Sequence, residues 1–325
     1  MNRGPDPAVR PARGPDPAVA DVRRAVRRWR AEHAPDTPVA VAVSGGADSL
    51  ALLAATVHEV GAPVRALVVD HQLQPGSAAT AEAATDAARA LGAHPEVITV
   101  RVVGSGGLEA AARRARYTAL GGAAAGAPVL LGHTLDDQAE TVLLGLGRGS
   151  GPRSLAGMRP WAAPWGRPLL GVRRATTRAA CTALGLAPHH DPHNDDPSFT
   201  RVRLRHEVLP LLEDVLADGV APALARTAAQ LREDCDVLDE QAAQLLAGAL
   251  VGAELDAEQL ATHPSALRRR VLRTWLLAHG ASALTDDQLR WVDELLGAWR
   301  GQGGVSVGGG LVVSRSRGRL TTAPG

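Results

Sequence analysis

The hexapeptide Ser44-Gly45-Gly46-Ala47-Asp48-Ser49 combines backbone that can wrap an anion with side chains that can hold one. Adjacent glycines allow a tight turn and put no side chain between the peptide N–H groups and a ligand. The apolar run Val39–Val43 precedes the turn and Leu50–Ala55 follows it, which predicts a buried strand, the turn and a helix start. A helix start adds unpaired N–H groups and the positive end of its dipole. Ser44 and Ser49 bring hydroxyls, and Asp48 a carboxylate able to hold Mg2+ beside a phosphate. Strand–Gly-Gly–helix turns also serve as plain connections in α/β proteins; hydroxyls and an acid gathered at the turn favour a pyrophosphate site. The lysine of the common P-loop is missing, and the 35 basic residues of the chain are all arginine. Any phosphate clamp must therefore use arginine, backbone N–H groups or Mg2+.

Further chemistry-bearing residues recur downstream. Asp70-His71-Gln72-Leu73-Gln74 follows a second apolar run, where His71 either caps a loop or contacts a nucleotide. In Glu109–Tyr117, Glu109 and Arg113 have the spacing of a helical ion pair, while Arg113 and Arg116 share a face that could meet phosphates. Gly132-His133-Thr134-Leu135-Asp136-Asp137-Gln138-Ala139-Glu140 opens another helix. Thr134 or Asp136 could cap it, but Asp137 and Glu140 on one face suit Mg2+ or an ammonium ligand. The stretch 145–157 is Gly-rich and reads as a mobile flap or a flexible connection. His189, His190 and His193 lie among acids and prolines without zinc-ligand spacing, so loop chemistry and RNA contact outrank a metal site. Arg201 and Arg205 then share a helical face, a solvated one or a phosphate-binding one.

These residues need elements to carry them. Strand-like runs at Val39–Val43, Val64–Asp70, Glu96–Val103 and Pro128–Gly132 alternate with helical stretches at Asp48–Val60, Ala78–Leu91 and Leu108–Gly121. The alternation predicts an α/β domain with a doubly wound, mainly parallel sheet, whose ligands gather at the strand C-termini, where Ser44, His71 and His133 fall. Beyond about residue 208, Ala221–Leu250, Pro264–His279 and Thr285–Trp299 read as helices without strands between them, an all-helical second domain. Residues 304–322 alternate around Gly308-Gly309-Gly310 as a hairpin would. The expected division is a tail at 1–20 carrying a repeated Arg-Gly-Pro-Asp-Pro-Ala-Val, an α/β domain at 21–214, a helical domain at 215–300 and a C-terminal tail at 301–325. The second repeat copy is expected to start a helix at Asp16-Pro17. No run is apolar enough for a membrane span and no signal-peptide pattern opens the chain, so the cytoplasm is the expected compartment. Cys181 and Cys235 form neither a Cys-x-x-Cys site nor a disulfide framework. A net charge of +1 leaves any RNA affinity to local arginine clusters, with Arg268-Arg269-Arg270 and Arg315–Arg319 as candidates.

In this order the motifs resemble the tRNA(Ile)-lysidine synthetases, a branch of the PP-loop (N-type) ATP pyrophosphatases with a Rossmann-like fold. The likeness runs through Ser44–Ser49, Asp70-His71, Glu109/Arg113/Arg116/Tyr117, Gly132-His133 with Asp137–Thr141, Arg167–Leu170, Asp191-Pro192 with Asn194, and Phe199 to Pro210. Val202, Gln72 and Gln74 depart from the family pattern. The resemblance implies a ligase that uses ATP and Mg2+. It adenylates C2 of the wobble cytidine in the CAU anticodon of tRNA(Ile), releasing pyrophosphate; free L-lysine then attacks and expels AMP, leaving lysidine. It implies nucleotide contacts from Ser44–Ser49, His71 and His133, with Asp48 on Mg2+. Asp137 would serve Mg2+ or the lysine amine, and Glu140 the ammonium. Arg113 and Arg205 would neutralise phosphates or the activated base, and Arg116 and Arg201 would contact substrate. The helical domain would read tRNA shape. An oligomer is compatible with all of this. The rivals are a tRNA-thiolating enzyme, disfavoured by two distant cysteines, an amide-forming pyrophosphatase, and a tRNA-binding protein without catalysis.

Overall fold

The computed structural model describes residues 14–61, 63–72, 76–102, 108–149, 151–191 and 195–325. The first repeat copy, Gln74, Val103, Pro192, His193, Asn194 and the side chain of Glu109 lie outside the described residues. Two compact units are present, Met1–Leu144 with Gly157–Arg226, and Gly145–Ala156 with Thr227–Gly325.

In the first unit, α1 (Pro17–His33), β1 (Ala40–Ala42), α2 (Ala47–Val60), β2 (Arg65–Asp70), α3 (Ser77–Ala90), β3 (His94–Thr99), α4 (Leu108–Ala123), β4 (Val129–Leu130) and α5 (Leu135–Gly147) follow in order. After α6 (Pro152–Leu155), which belongs to the second unit, come β5 (Trp161–Ala162), β6 (Trp165–Gly166), α7 (Arg174–Ala183), α8 (Thr200–Arg203), a π-helical turn at Leu204–Val208 and α9 (Leu209–Leu216). Asp16 caps α1 by accepting from Ala18 N–H, with Pro17 in the first turn, as the repeat copy suggested. The sheet order is β3-β2-β1-β4-β6-β5. All neighbours are parallel except the β5–β6 pair. β1 lies between β2 and β4, so the winding reverses at β1/β4, and a crevice opens there at the strand C-termini.

Side-chain alternation along the strands builds two cores. Val41, Val43, Ala66 and Val68 pack with α1, α2, α3 and α7. Ala40, Leu67, Val129 and Leu131 pack with Leu120 and Ala124 of α4 and its C-terminal end. The doubly wound, mainly parallel sheet expected from the alternation is the one present. With one Tyr and one Phe in the chain, these cores are Ala, Val and Leu, joined by tryptophans such as Trp29, whose indole N–H donates to Pro160 O at 2.8 Å.

The second unit contains α10 (Val220–Ala249), which begins in the first unit, then β7 (Leu250–Val251), β8 (Glu254–Asp256), α11 (Ala257–Ala261), α12 (Ser265–Ala278), α13 (Asp286–Gly297), β9 (Val305–Val307), β10 (Leu311–Ser316) and β11 (Arg319–Pro324). Thr285 and Gln288 form a reciprocal capping box on α13. The helices match the expectation, and the all-helical description needs one amendment. A five-stranded antiparallel sheet, β7-β8-β11-β10-β9, stands among them. The hairpin around Gly308–Gly310 pairs β9 with β10, and a second turn at Arg317-Gly318 adds β11, which recruits β8. Leu255, Val313 and Leu320 from this sheet close the core formed by Val271, Leu272, Trp275, Val292 and Leu295. Among the described residues no helix is long and apolar enough to cross a membrane.

Candidate active site

The glycine loop occupies the end of β1 and the start of α2. Gly45 adopts φ +82°, the left-handed region open to glycine, and a Cβ there would meet Ala84 Cβ at 3.4 Å and His189 Cβ at 3.6 Å. Gly45 O accepts from His189 N–H at 2.9 Å, which seats the 186–191 segment against the loop. The two serines brace the turn. Ser44 N–H donates to Ser49 Oγ at 3.2 Å, and Ser49 Oγ donates to Gly46 O at 2.9 Å. Ser49 is therefore buried and internally committed, while Ser44 is exposed on the loop. Gly132, at the end of the β4 segment, passes so close that a Cβ would sit 3.0 Å from the Asp48 carbonyl carbon and 3.1 Å from Ser49 N. The expected anion-binding geometry, N–H groups at a helix start beside a strand end, is thus backed directly by the second strand of the crevice.

Beside the loop lies a dense ion network. Thr134 and Asp137 cap α5 reciprocally: Asp137 Oδ2 accepts from Thr134 N–H at 2.7 Å and from its hydroxyl at 2.8 Å. Asp137 Oδ1 meets Arg174 Nη2 at 2.6 Å. Glu140, with no exposed surface, faces Arg205 at 2.9 Å, Arg174 at 3.3 Å and Arg201 at 3.7 Å. Asp48 Oδ2 is 3.6 Å from Arg174 Nε, and its Oδ1 accepts a hydrogen bond from the Thr177 hydroxyl. Asp136 accepts from Arg174 N–H at 2.7 Å and pairs with Arg173 at 3.1 Å, docking the start of α7 on the start of α5. Four carboxylates, Asp48, Asp136, Asp137 and Glu140, thus stand against four guanidiniums, Arg173, Arg174, Arg201 and Arg205. Burial raises the Asp48 carboxyl above its ordinary value, with the Thr177 hydrogen bond opposing. Burial acts the same way on Asp137, but Arg174 and the Thr134 donors outweigh it and hold that carboxyl low.

Arg205 reaches Glu140 from the π-helical turn, in which Leu209 N–H bonds Leu204 O, one residue farther back than in an α-helix. Pro210 explains the widening, because it has no N–H for the His206 carbonyl and its ring crowds that oxygen.

A third group surrounds the lone tyrosine. Arg113 lies 4.9 Å and Arg116 5.6 Å from the Tyr117 ring centroid, and Tyr117 packs edge-on to Trp165 at 4.7 Å. Arg113 also donates to the Tyr117 hydroxyl at 3.3 Å. His71 and His133 each bury Nδ1 without a partner, as Arg116 buries Nε. Burial lowers both histidines, His133 to about 3, so both rings are neutral and each can offer a donor or an acceptor to a ligand. His71 feels Arg116, and His133 feels both Arg116 and Asp137, which links this group to the ion network.

The structure therefore places Ser44–Ser49, His71, Arg113, Arg116, His133, Asp137, Glu140, Arg201 and Arg205 in one region of the first unit. Arg174 and Thr177 were not singled out from the sequence. The signal for Arg174 was electrostatic: three acids at the crevice of a lysine-free chain require buried arginines, and Arg173-Arg174 opens the next helix. Other expected features have partners of their own in the chain. Arg268 pairs with Asp293 at 2.7 Å, Arg270 with Asp239 at 2.9 Å and Arg319 with Asp256 at 2.8 Å, while Arg315 stacks on Trp299 and donates to Leu295 O. His190 pairs with Asp195 at 2.6 Å. The 145–157 stretch includes α6, and Arg153 meets Asp239 at 2.5 Å.

Unpartnered buried nitrogens and a glycine turn at a helix start fit a nucleoside triphosphate. Among the described residues no cluster of three or more His, Cys, Asp or Glu side chains could cage a metal. Asp48 is the one carboxylate carried by the loop. That donor set fits Mg2+ held largely by phosphate oxygens and water, which is that ion's usual habit.

Comparison with known proteins agrees with this geometry. Residues 20–212 match the model of the PP-loop domain, and residues 255–321 that of the TilS substrate binding domain. A tRNA(Ile)-lysidine synthase of Nocardia farcinica is 65% identical over 308 residues, covering 92% of this chain and 96% of the relative. The Rhodococcus opacus protein of that name is 64% identical over 306 residues, covering 92% and 94%, and that of Mycobacterium tuberculosis 62% over 276 residues, covering 83% and 84%. Among solved structures, a U34-tRNA thiolase, NcsA from Methanococcus maripaludis, superposes with a TM-score of 0.57 at 18% identity over 66% of this chain and 80% of its own, which speaks to fold alone. With the loop, the crevice and both family models matched in order, the chain belongs to the tRNA(Ile)-lysidine synthase family.

Proposed function

We propose that this protein ligates L-lysine to C2 of the wobble cytidine in the CAU anticodon of tRNA(Ile), using ATP, through an adenylated cytidine. The observation that carries the reading is the braced glycine loop at the β1/β4 crevice, set against a buried carboxylate–arginine network, in a chain 65% identical to a lysidine synthase over nearly its full length. In this mechanism the loop N–H groups and the Ser44 hydroxyl bind the departing pyrophosphate and stabilise charge as it builds. Asp48 would hold Mg2+, which supplies charge neutralisation beside the phosphates. Neutral His71 and His133 contact the nucleotide, while Arg113 and Arg116, held by Tyr117, meet phosphate or the activated base. Arg205 faces the same charge from its place on Glu140. Asp137, kept ionised by Arg174, orients the lysine amine, which must lose a proton before it attacks. Glu140 spends its oxygens on arginines, so its part in ammonium recognition is to hold Arg201 and Arg205 in place.

A sulfur-transfer reading has no support from the cysteines. Burial pushes the Cys181 thiol up to about 11, and Cys235 belongs to the other unit. The test is incorporation of radiolabelled lysine into unmodified tRNA(Ile) with a CAU anticodon, compared with methionine tRNA of the same anticodon. ATP-dependent labelling of the first alone is expected. AMP release without lysine incorporation would keep adenylation and overturn the substrate. Asp48→Ala is expected to abolish tRNA-dependent AMP formation, and retained AMP formation would remove Asp48 from that role.

A further inference from the structure

Thr177 is fully buried on the second turn of α7, beside the apolar Ala180 and Cys181. Its hydroxyl lies 2.8 Å from the Arg174 carbonyl of its own helix, so burial alone requires no carboxylate. It nevertheless reaches Asp48 Oδ1, on a different helix. Arg174, three residues earlier on the same face, approaches the other oxygen of Asp48 at 3.6 Å and spans to Asp137 at 2.6 Å. The helix carrying both residues is anchored on two sides. Leu135 N–H donates to Val172 O at 2.9 Å and Arg174 N–H to Asp136 at 2.7 Å, tying it to α5. The Cys181 thiol donates to Ala47 O at 3.3 Å, tying it to the loop end of α2. In a helix threonine divides between two χ1 wells, and on so fixed a helix the one observed brings the hydroxyl to Asp48 as well as to its own helix.

We propose that Thr177 is a positioning residue of the nucleotide site, acting through Asp48: with Arg174 it fixes both oxygens of the carboxylate that meets Mg2+ beside the glycine loop. Left unsupported, an Asp in the first turn of a helix turns toward the N–H groups of its own helix or toward water. The Thr177 contact holds it toward the crevice. This rests on reading Ser44–Ser49 as the nucleotide loop, and is independent of which tRNA or amine reacts.

The test measures ATP affinity of the full chain by calorimetry, with Mg2+ and with EDTA, for wild type, Thr177→Val, Thr177→Ser and Thr177→Ala. Residues that orient a metal-binding side chain typically contribute about 10–100-fold. Val and Ala are expected to weaken MgATP by that order and leave metal-free ATP within about twofold, and Ser to restore MgATP binding. Added to Asp48→Asn, Thr177→Val is expected to cause no further loss. In the lysine-incorporation assay the loss is expected in kcat and in KM for ATP, with KM for lysine unchanged. Equal losses with and without Mg2+, no rescue by Ser, additive losses in Asp48→Asn, or a wild type indifferent to Mg2+ would each overturn the proposal. Should Val unfold the protein, the Ser–Ala pair decides. Since binding needs neither tRNA nor lysine, a wild type that binds MgATP but makes no lysidine overturns the functional reading and leaves this one standing.

Discussion

Glu140 has no solvent contact and serves Arg174, Arg201 and Arg205 at once. Taking one partner out of a buried ion network costs about 3–5 kcal/mol, because the remaining charges stay buried without compensation. Glu140→Gln is therefore expected to lower Tm by roughly 6–20 °C and to cut activity through Arg205. A thermal melt within about 2 °C of wild type would mean that the arginines relax into water. His133 makes the opposite kind of contribution, since it is held neutral. Its folded value of about 3 lies below the ordinary 6.5, so below 6.5 the unfolded chain takes up the proton first. The associated stability is complete above 6.5 and drains away as pH falls toward 3. The Tm of His133→Gln should thus depend less on pH between 7 and 5 than that of wild type, and parallel Tm–pH curves would sink the assignment. Arg174 shows why residue roles were only partly legible. Its sequence neighbours resemble any basic helix start, and only the fold reveals which acids it must neutralise.

The elements were more legible than the contacts between them, and Gly132 shows the boundary between the two. The run Pro128–Gly132 reads as a strand, but nothing local says that its last residue will press on the backbone of Asp48 and Ser49. Gly132→Ala should push α2 away from the crevice, costing about 1–3 kcal/mol in overpacking and weakening ATP binding at least as much as folding. Calorimetric titration beside a melt checks this, and unchanged ATP affinity would show that the loop adjusts freely. The longer helices α1 to α5, α10, α12 and α13 and the first strands were readable because each carries a full period of apolar residues, whereas α6, α7, α9 and α11 were not singled out. β5 to β8 have two or three residues each, too few for alternation to register. β7 and β8 gain their identity from β11, some sixty residues later, which is how an antiparallel sheet arose in a region that reads as helical. The π-helical turn was equally hidden, since Leu204–Val208 is ordinary helical sequence and the cause lies in Pro210.

At the scale of the whole molecule, each hydrophobic cluster of the described residues lies within one unit. One set is built on the parallel sheet, its helices and the start of α10, the other on the later part of α10, α11 to α13 and the antiparallel sheet. The arginines are divided likewise, those at the crevice facing crevice acids and Arg268, Arg270 and Arg319 facing acids of their own unit. A chain with separate cores has no reason to unfold in one step. Scanning calorimetry is expected to resolve two transitions. MgATP at about a hundred times its Kd should add about 2.7 kcal/mol to the unit that carries the loop and leave the other transition in place. Hydrogen exchange assigns the two, with peptides from α2 and α5 gaining protection on nucleotide binding and those from α12 and α13 unchanged. A single transition that moves as a whole would show that the units share their stability. Protection spreading to α12 would place nucleotide binding in communication with the second unit, against separate transitions.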